Sequence, residues 1–348
     1  MKKILNTVKK IKFSLLPLAV ILLSIFSCQN SGIESNDSST EEILKNELIS
    51  WNDGVAKNTI QEFVQKTTNP QSPDFIPEGD RIAVFDNDGT LWAEKPYYFQ
   101  LDYALFFIKK EASKHPEWNE NKLIQAVLAD DMKTIMASGE HGLIELVMYS
   151  HSGMSEDEFS SHVREWLNEA KHPQTGLKFT DMVYQPMLEL LDYLRSHGYK
   201  TFIVSGGGID FLRVWAEEVY GIPPYQVVGS SINAAYQEVD GKNVIVKIPE
   251  LNLINDKAGK PVGIHQYIGK RPVMAFGNSD GDFQMLEYTT SGKGPSLGVY
   301  IHHTDAEREF AYDSLSSIGN LKRGLIEAPT RGWLVVDMAK DWSSMYPN

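Results

Sequence analysis

Hydrophobic positions along the 348-residue chain fall into short unbroken runs and longer stretches with a helical period. The runs at 82–85, 201–204, 271–276 and 296–301 are short and bounded by polar residues, which predicts buried strands of a parallel sheet covered on both faces. Residues 333–336 read as a late edge strand. Residues 228–248 alternate instead and contain Asp240-Gly241, which predicts a hairpin flanking the sheet without chemistry of its own. Leu44, Leu48, Trp51, Val55, Ile60, Phe63 and Val64 keep a helical spacing broken near Asp53-Gly54, giving two short helices that Asn69-Pro70 and Pro73 end.

Residues 93–180 carry little strand signal. Tyr103, Ile108, Leu123, Ile124, Val127, Leu128, Ile144, Met148, Phe159, Val163 and Trp166 fit helical faces, and Ser155 and Glu158 have capping-box spacing. Tyr184, Met187, Leu188, Leu191 and Leu194 predict an amphipathic helix stopped by Gly198. The pattern is that of an α/β protein: a doubly wound parallel sheet, entered through residues 41–92 and completed by 181–348, with an all-helical insertion at 93–180. An insertion directly after the first strand reads as a lid that excludes water and selects substrate, the plainer reading being added core.

The amino terminus breaks from this pattern. Lys2, Lys3, Lys9, Lys10 and Lys12 precede an apolar run at 15–26, a basic-then-apolar order that predicts an export signal over 1–27 and is too short to span a bilayer comfortably. Cys28, the only cysteine, follows Ile25-Phe26-Ser27 where a lipid-modified cysteine of a bacterial lipobox would stand, Phe26 being bulkier than that pattern usually has. Residues 28–40 then read as the lipidated cysteine and a Ser-, Asn- and Gly-rich tether, placing the protein in the cell envelope, lipid-anchored on the periplasmic or outer-surface side. Removing residues 1–27 takes the formal charge from −13 to −18, which argues against a nucleic-acid partner and leaves the lipid as the membrane contact.

Chemistry-bearing residues collect where the strands end. The run 82–85 empties into Asp86-Asn87-Asp88-Gly89, and the carboxyl edge of an open α/β sheet is where ligands bind. Two carboxylates two positions apart can divide attack and proton transfer. A hairpin turn does not suit the segment, because 90–98 shows no returning strand. A calcium loop fails too, since Gly89 as its invariant glycine would put Val84 first and Lys95 last. After 201–204 come Ser205, Gly206, Gly207 and Gly208, a hydroxyl with successive glycine amides ahead of a helix carrying Leu212, Trp215, Ala216 and Val219, a cradle suited to phosphate oxygens. Gly277-Asn278-Ser279-Asp280-Gly281-Asp282 follows the third run and again fails as a calcium loop, Phe276 falling at the first ligand position.

The segment DNDGT at 86–90 resembles the first motif of the haloacid dehalogenase superfamily, mostly magnesium-dependent phosphatases. Ser205 with its glycines resembles the second motif, Lys260 or alternatively Lys257 the third, and Asn278 with Asp282 the fourth, the overall likeness being to the phosphoserine-phosphatase-like branch with a helical cap. The resemblance implies that Asp86 attacks phosphorus and Asp88 handles the proton. It further implies that Ser205, Gly206, Gly207 and Lys260 bind phosphate, and that Asp86, Asp88 (through its backbone carbonyl), Asn278 and Asp282 surround Mg2+. Asn278 stands where the family normally has aspartate. Asp88 favours a phosphatase over a dehalogenase, because relatives that dehalogenate lack it. The implied function is hydrolysis of a small phosphomonoester through an aspartyl phosphate. The alternatives are a catalytically weak or inactive lipid-anchored binding protein on the same fold and a phosphotransferase to an acceptor other than water. His302 and His303, at the end of the run 296–301, are the remaining candidates, as substrate contacts.

Overall fold

The computed structural model describes residues 48–347. The export signal, Cys28, the tether and most of the first predicted N-terminal helix lie outside the described residues. The second helix is present as α1 (Val55–Thr68), ended at Asn69 as expected.

Strand β1 (Ile82–Phe85) is the centre of the molecule. It pairs in parallel with β2 (Lys200–Gly208) on one side and β5 (Met274–Gly277) on the other. With β3 (Val227–Val239), β4 (Lys242–Leu253), β6 (Leu297–His302) and β7 (Leu334–Asp337), they form a seven-stranded sheet of order β4-β3-β2-β1-β5-β6-β7. The chain builds outward from β1 through β2 to β3, then returns to β5 beside β1. That reversal places the topological switch point between β1 and β5, the crevice where α/β sheets bind ligands.

Alternation along the strands explains the unbroken apolar runs. Ala83, Phe85, Ile203, Met274 and Phe276 enter one core, whereas Ile82, Val84, Val204, Ala275 and Tyr300 enter a second on the opposite face. A sheet buried on both sides has no polar face to show in its sequence. Phe85 stacks on Phe276 with ring centroids 4.5 Å apart, fixing β1 against β5 immediately before their polar ends.

The hairpin is an integral part of the sheet, contrary to the expectation that it only flanks it. β3 pairs in parallel with β2 and antiparallel with β4. Asp240 and Gly241 take φ of 52° and 74°, the paired positive values of a type I′ turn. β4 also meets the helical insertion: Gly153 donates to the Lys247 carbonyl at 2.9 Å and Lys247 donates to the Met154 carbonyl at 3.1 Å, while the Lys247 ammonium pairs with Asp210, just after β2.

The insertion is helical throughout: α2 (Phe99–Glu111), α3 (Lys122–Leu128), α4 (Met132–Ala137), α5 (Gly139–His151) and α6 (Glu156–Glu169). The Ser155–Glu158 capping box forms at the start of α6. Its apolar faces share one core with the sheet. Trp166 stacks on Phe179 at 4.6 Å, Phe179 meets Phe99 at 4.6 Å, Phe99 meets Trp92 at 4.8 Å and Trp92 stacks on Trp215 at 4.3 Å. Beyond α7 (Gln185–Ser196), the helix predicted after the glycines is split into α8 (Ile209–Arg213) and α9 (Ala216–Tyr220). Then come α10 (Gly259–Gly263), α11 (Phe283–Thr290) and α12 (Arg323–Arg331).

Candidate active site

Three strand ends converge on one group. Asp86 leaves β1 with its amide still donating to the Phe276 carbonyl of β5 at 2.9 Å, so the sheet fixes the backbone that carries its carboxylate. Lys260, on α10 and almost wholly buried, places its ammonium 2.6 Å from Asp86 Oδ1, 2.7 Å from Asp282 Oδ1 and 2.8 Å from the Val204 carbonyl of β2. The rival Lys257 lies at the surface with φ 50°, its nearest carboxylate being Asp256 at 3.6 Å. One helical turn thus separates a lysine held by the site from one held by solvent.

Charge in this pocket is unbalanced toward the negative. Burial, then the neighbouring Asp282 and Asp88 charges, push the Asp86 carboxyl well above its ordinary range against the pull of Lys260. Burial raises Asp88 too, although the Trp92 indole opposes it by donating from Nε1 to Asp88 Oδ1 at 2.9 Å. Burial alone would lower Lys260, but Asp282 and Asp86 together hold it above the usual lysine range. Low dielectric makes such pairing effective, and a single cation cannot neutralise three carboxylates.

Asp282 is buried beside the lysine. Its Oδ2 accepts from the Asn278 amide at 3.0 Å, the Ser279 amide at 3.1 Å and the Ser279 hydroxyl at 3.3 Å, while Oδ1 faces Lys260. Its two oxygens thus divide between the turn amides and the lysine. Among the described residues no three His, Cys, Asp or Glu side chains stand together in a metal-holding group. The oxygen donors of the site are the Asp86 carboxylate, the Asp88 carbonyl, the Asn278 amide oxygen and the Asp282 carboxylate beside Lys260, hard ligands in a pocket short of positive charge, and these fit a cation such as Mg2+. Asn278 lies directly against the first loop: Thr90 Oγ1 is 3.4 Å from its Oδ1, and a Cβ on Gly89 would sit 1.9 Å from its Nδ2.

The serine-glycine segment also differs from expectation. β2 runs on through Gly208, but between Val204 and Gly208 it spends four steps against two on β3, from Val228 to Ser230. The surplus makes a bulge holding Ser205, Gly206 and Gly207. Ser205 is fully buried with its hydroxyl accepting from the Gly207 amide at 2.9 Å, and its carbonyl is held by Asn255 Nδ2 at 2.8 Å. α8 is only five residues long, so the cradle rests on the bulge and the hydroxyl more than on a helix dipole. The Gly208 amide donates to Gln100 Oε1 of α2 at 2.7 Å, and Gln100 Nε2 lies 2.8 Å from His151 Nε2 of α5. The insertion therefore reaches the serine-glycine segment through one glutamine.

Three residues that sequence reading missed, and one it read differently, complete the surroundings. Trp92 and Gln100 are described above. His303, expected as a substrate contact, is buried and donates from Nε2 to the Gly89 carbonyl at 2.7 Å, with Nδ1 3.1 Å from Glu309. It buttresses the first loop. His302 ends β6 opposite Asp337. Glu94 is buried, accepts from Asn278 Nδ2 at 2.8 Å and from the Tyr312 hydroxyl at 2.6 Å, and burial pushes its carboxyl up to about 7 against His303 and Tyr312. Its one local signal is an acid ending the apolar run Leu91-Trp92-Ala93.

The sequence profile of the haloacid dehalogenase-like hydrolases matches residues 83–287, from β1 into α11. Similar solved structures include a protein with unknown function from Bordetella pertussis Tohama I, at 16% identity and TM-score 0.46 over 74% of this chain and 98% of that one. A conserved functionally unknown protein from Anaerococcus prevotii is similar at 16% identity and TM-score 0.47, over 72% and 86%. A phosphoserine phosphohydrolase-like protein from Francisella tularensis is similar at 16% identity and TM-score 0.36, over 72% and 98%. No curated protein sequence matches the chain. With a profile that covers more than half of its length and spans the strand ends carrying Asp86, Ser205, Lys260 and Asn278, the chain belongs to the haloacid dehalogenase-like hydrolase family.

Proposed function

We propose that the protein is a Mg2+-dependent phosphatase that hydrolyses a small phosphomonoester through an aspartyl phosphate at Asp86, held to the bacterial cell envelope by a lipid on Cys28. The observation that carries the catalytic part is the grouping of Asp86, Asp88 and Lys260 at the carboxyl ends of β1 and β2, with Lys260 2.6 Å from the attacking carboxylate. Asp86 forms a bond to phosphorus as the ester P–O bond breaks, and the departing oxygen takes a proton from Asp88. The raised Asp88 carboxyl suits that donation. Water, giving a proton to Asp88, then attacks phosphorus and the bond to Asp86 breaks, releasing inorganic phosphate and restoring the Asp86 carboxylate and the protonated Asp88.

Lys260, the Ser205 hydroxyl and the glycine bulge supply charge and hydrogen bonds to the phosphoryl oxygens. A bound Mg2+, held by Asp86, the Asp88 carbonyl, Asn278 and Asp282, would offset the negative charge of carboxylate and phosphate. Cys28 and the preceding basic and apolar segments support the envelope assignment. The neutral Asn278 favours a second reading, a lipid-anchored protein that binds phosphoesters with little turnover. Phosphate release from an aryl phosphate and a panel of small phosphoesters, with Mg2+, with chelator and as Asp86→Asn, separates the two. Metal-dependent release abolished by the substitution is expected, and no release from folded protein on any ester would favour the binding reading.

A further inference from the structure

The contact between Glu94 and Asn278 joins residues 184 positions apart and has no use in the chemistry above. An amide nitrogen only donates and an amide oxygen only accepts. By accepting from Nδ2 at 2.8 Å, Glu94 fixes which way the Asn278 amide faces and leaves Oδ1 toward the Thr90 hydroxyl. A carboxylate acceptor on the nitrogen also draws electron density toward the amide oxygen, as a chain of hydrogen bonds polarises its members.

Glu94 is itself held in place. Tyr312 donates to the same Oε1 at 2.6 Å. Gly89, at φ 73°, would bring a Cβ to 2.6 Å from that oxygen, and Gly319, at φ 64°, would bring one to 1.9 Å. Two glycines thus leave room for one carboxylate. The neighbouring Lys95 is turned away to the Ile318 carbonyl and Ser316, and among the described residues no cation forms an ion pair with Glu94. A buried acid without a cationic partner is costly unless a charge is supplied from elsewhere.

We propose that Glu94 is a positioning residue for a divalent cation, supplying through Asn278 the negative charge that a neutral amide ligand lacks. It rests on the phosphatase reading only for the presence of that cation. The arrangement divides an acidic ligand into two parts, an oxygen from Asn278 and a charge from Glu94, placed one hydrogen bond apart.

The test is Mg2+ binding to the purified full-length chain in detergent, by calorimetry and by the Mg2+-induced change in Tm, for wild type, Glu94→Gln, Asn278→Asp and the double variant. Glu94→Gln is expected to weaken Mg2+ binding by roughly tenfold or more. Asn278→Asp sets two carboxylates face to face, so its metal-free Tm falls and Mg2+ raises it by more than in wild type. The double variant, with the charge moved back to the ligand, regains wild-type affinity. Glu94→Gln that binds Mg2+ as tightly as wild type overturns the proposal while leaving the cation site standing. Wild type that binds no Mg2+ overturns the cation site and the proposal together. Should Glu94→Gln fail to fold, an Asn278→Asp Tm that Mg2+ raises no more than wild type overturns the proposal.

Discussion

Asp88 and Lys260 show how much of the site a single side chain carries. Asp88 is held by the Trp92 indole and raised by burial, so Asp88→Asn keeps the shape and loses the proton. Phosphate release is expected to slow by about 10²–10⁴-fold in steady-state assays, with the urea midpoint little changed. Lys260→Met removes the cation that bridges Asp86 and Asp282 and leaves two buried carboxylates without it. A loss of roughly 3–5 kcal/mol is expected on urea unfolding in the absence of metal. Asp86, Ser205 and Asn278 were legible because each ends an apolar run, where a polar residue has few reasons to stand other than solvent or chemistry. Lys260 was legible only as one of two, since the turn of α10 that separates it from Lys257 depends on packing. Asp282 was legible as an acid after an apolar run, but its residue type says nothing about how its oxygens divide between Lys260 and its own turn amides.

At the level of elements, the strands were readable and their irregularities were not. An unbroken run such as 82–85 follows from burial on both faces, but the bulge in β2 depends on pairing with β3, and the contact of Gln100 with Gly208 crosses 108 positions. Glycines alone could not distinguish a loop from a bulged strand. The insertion carries its own titration. His151 sits at the end of α5, fully buried between Ser150 Oγ and Gln100, and burial lowers its imidazole from 6.5 to about 4, Asp210 opposing. Because the folded value is below the unfolded one, this contribution is present above pH 6.5 and is lost as the pH falls toward 4. The shift corresponds to about 3 kcal/mol. Urea midpoints between pH 7 and 4 are expected to fall with the uptake of one proton, and His151→Gln is expected to flatten that part of the profile.

For the whole molecule, one sheet gathers Asp86, Ser205, Lys260 and Asn278 at a single edge, while the helical insertion touches that edge through Gln100 and the hairpin through Lys247. Among the described residues no helix is long and apolar enough to cross a membrane; the attachment proposed here is a lipid on Cys28. Cys28→Ser is expected to move the protein from the detergent phase to the aqueous phase on Triton X-114 partitioning, with phosphatase activity retained. The central claim is that phosphate passes through Asp86, and acid-quenching the protein during turnover of an aryl phosphate, then mapping the phosphopeptide by mass spectrometry, tests it most directly. A hydroxylamine-sensitive phosphate on Asp86, absent from Asp86→Asn, is the predicted result; phosphate release that continues in Asp86→Asn, or label on another residue, would contradict it.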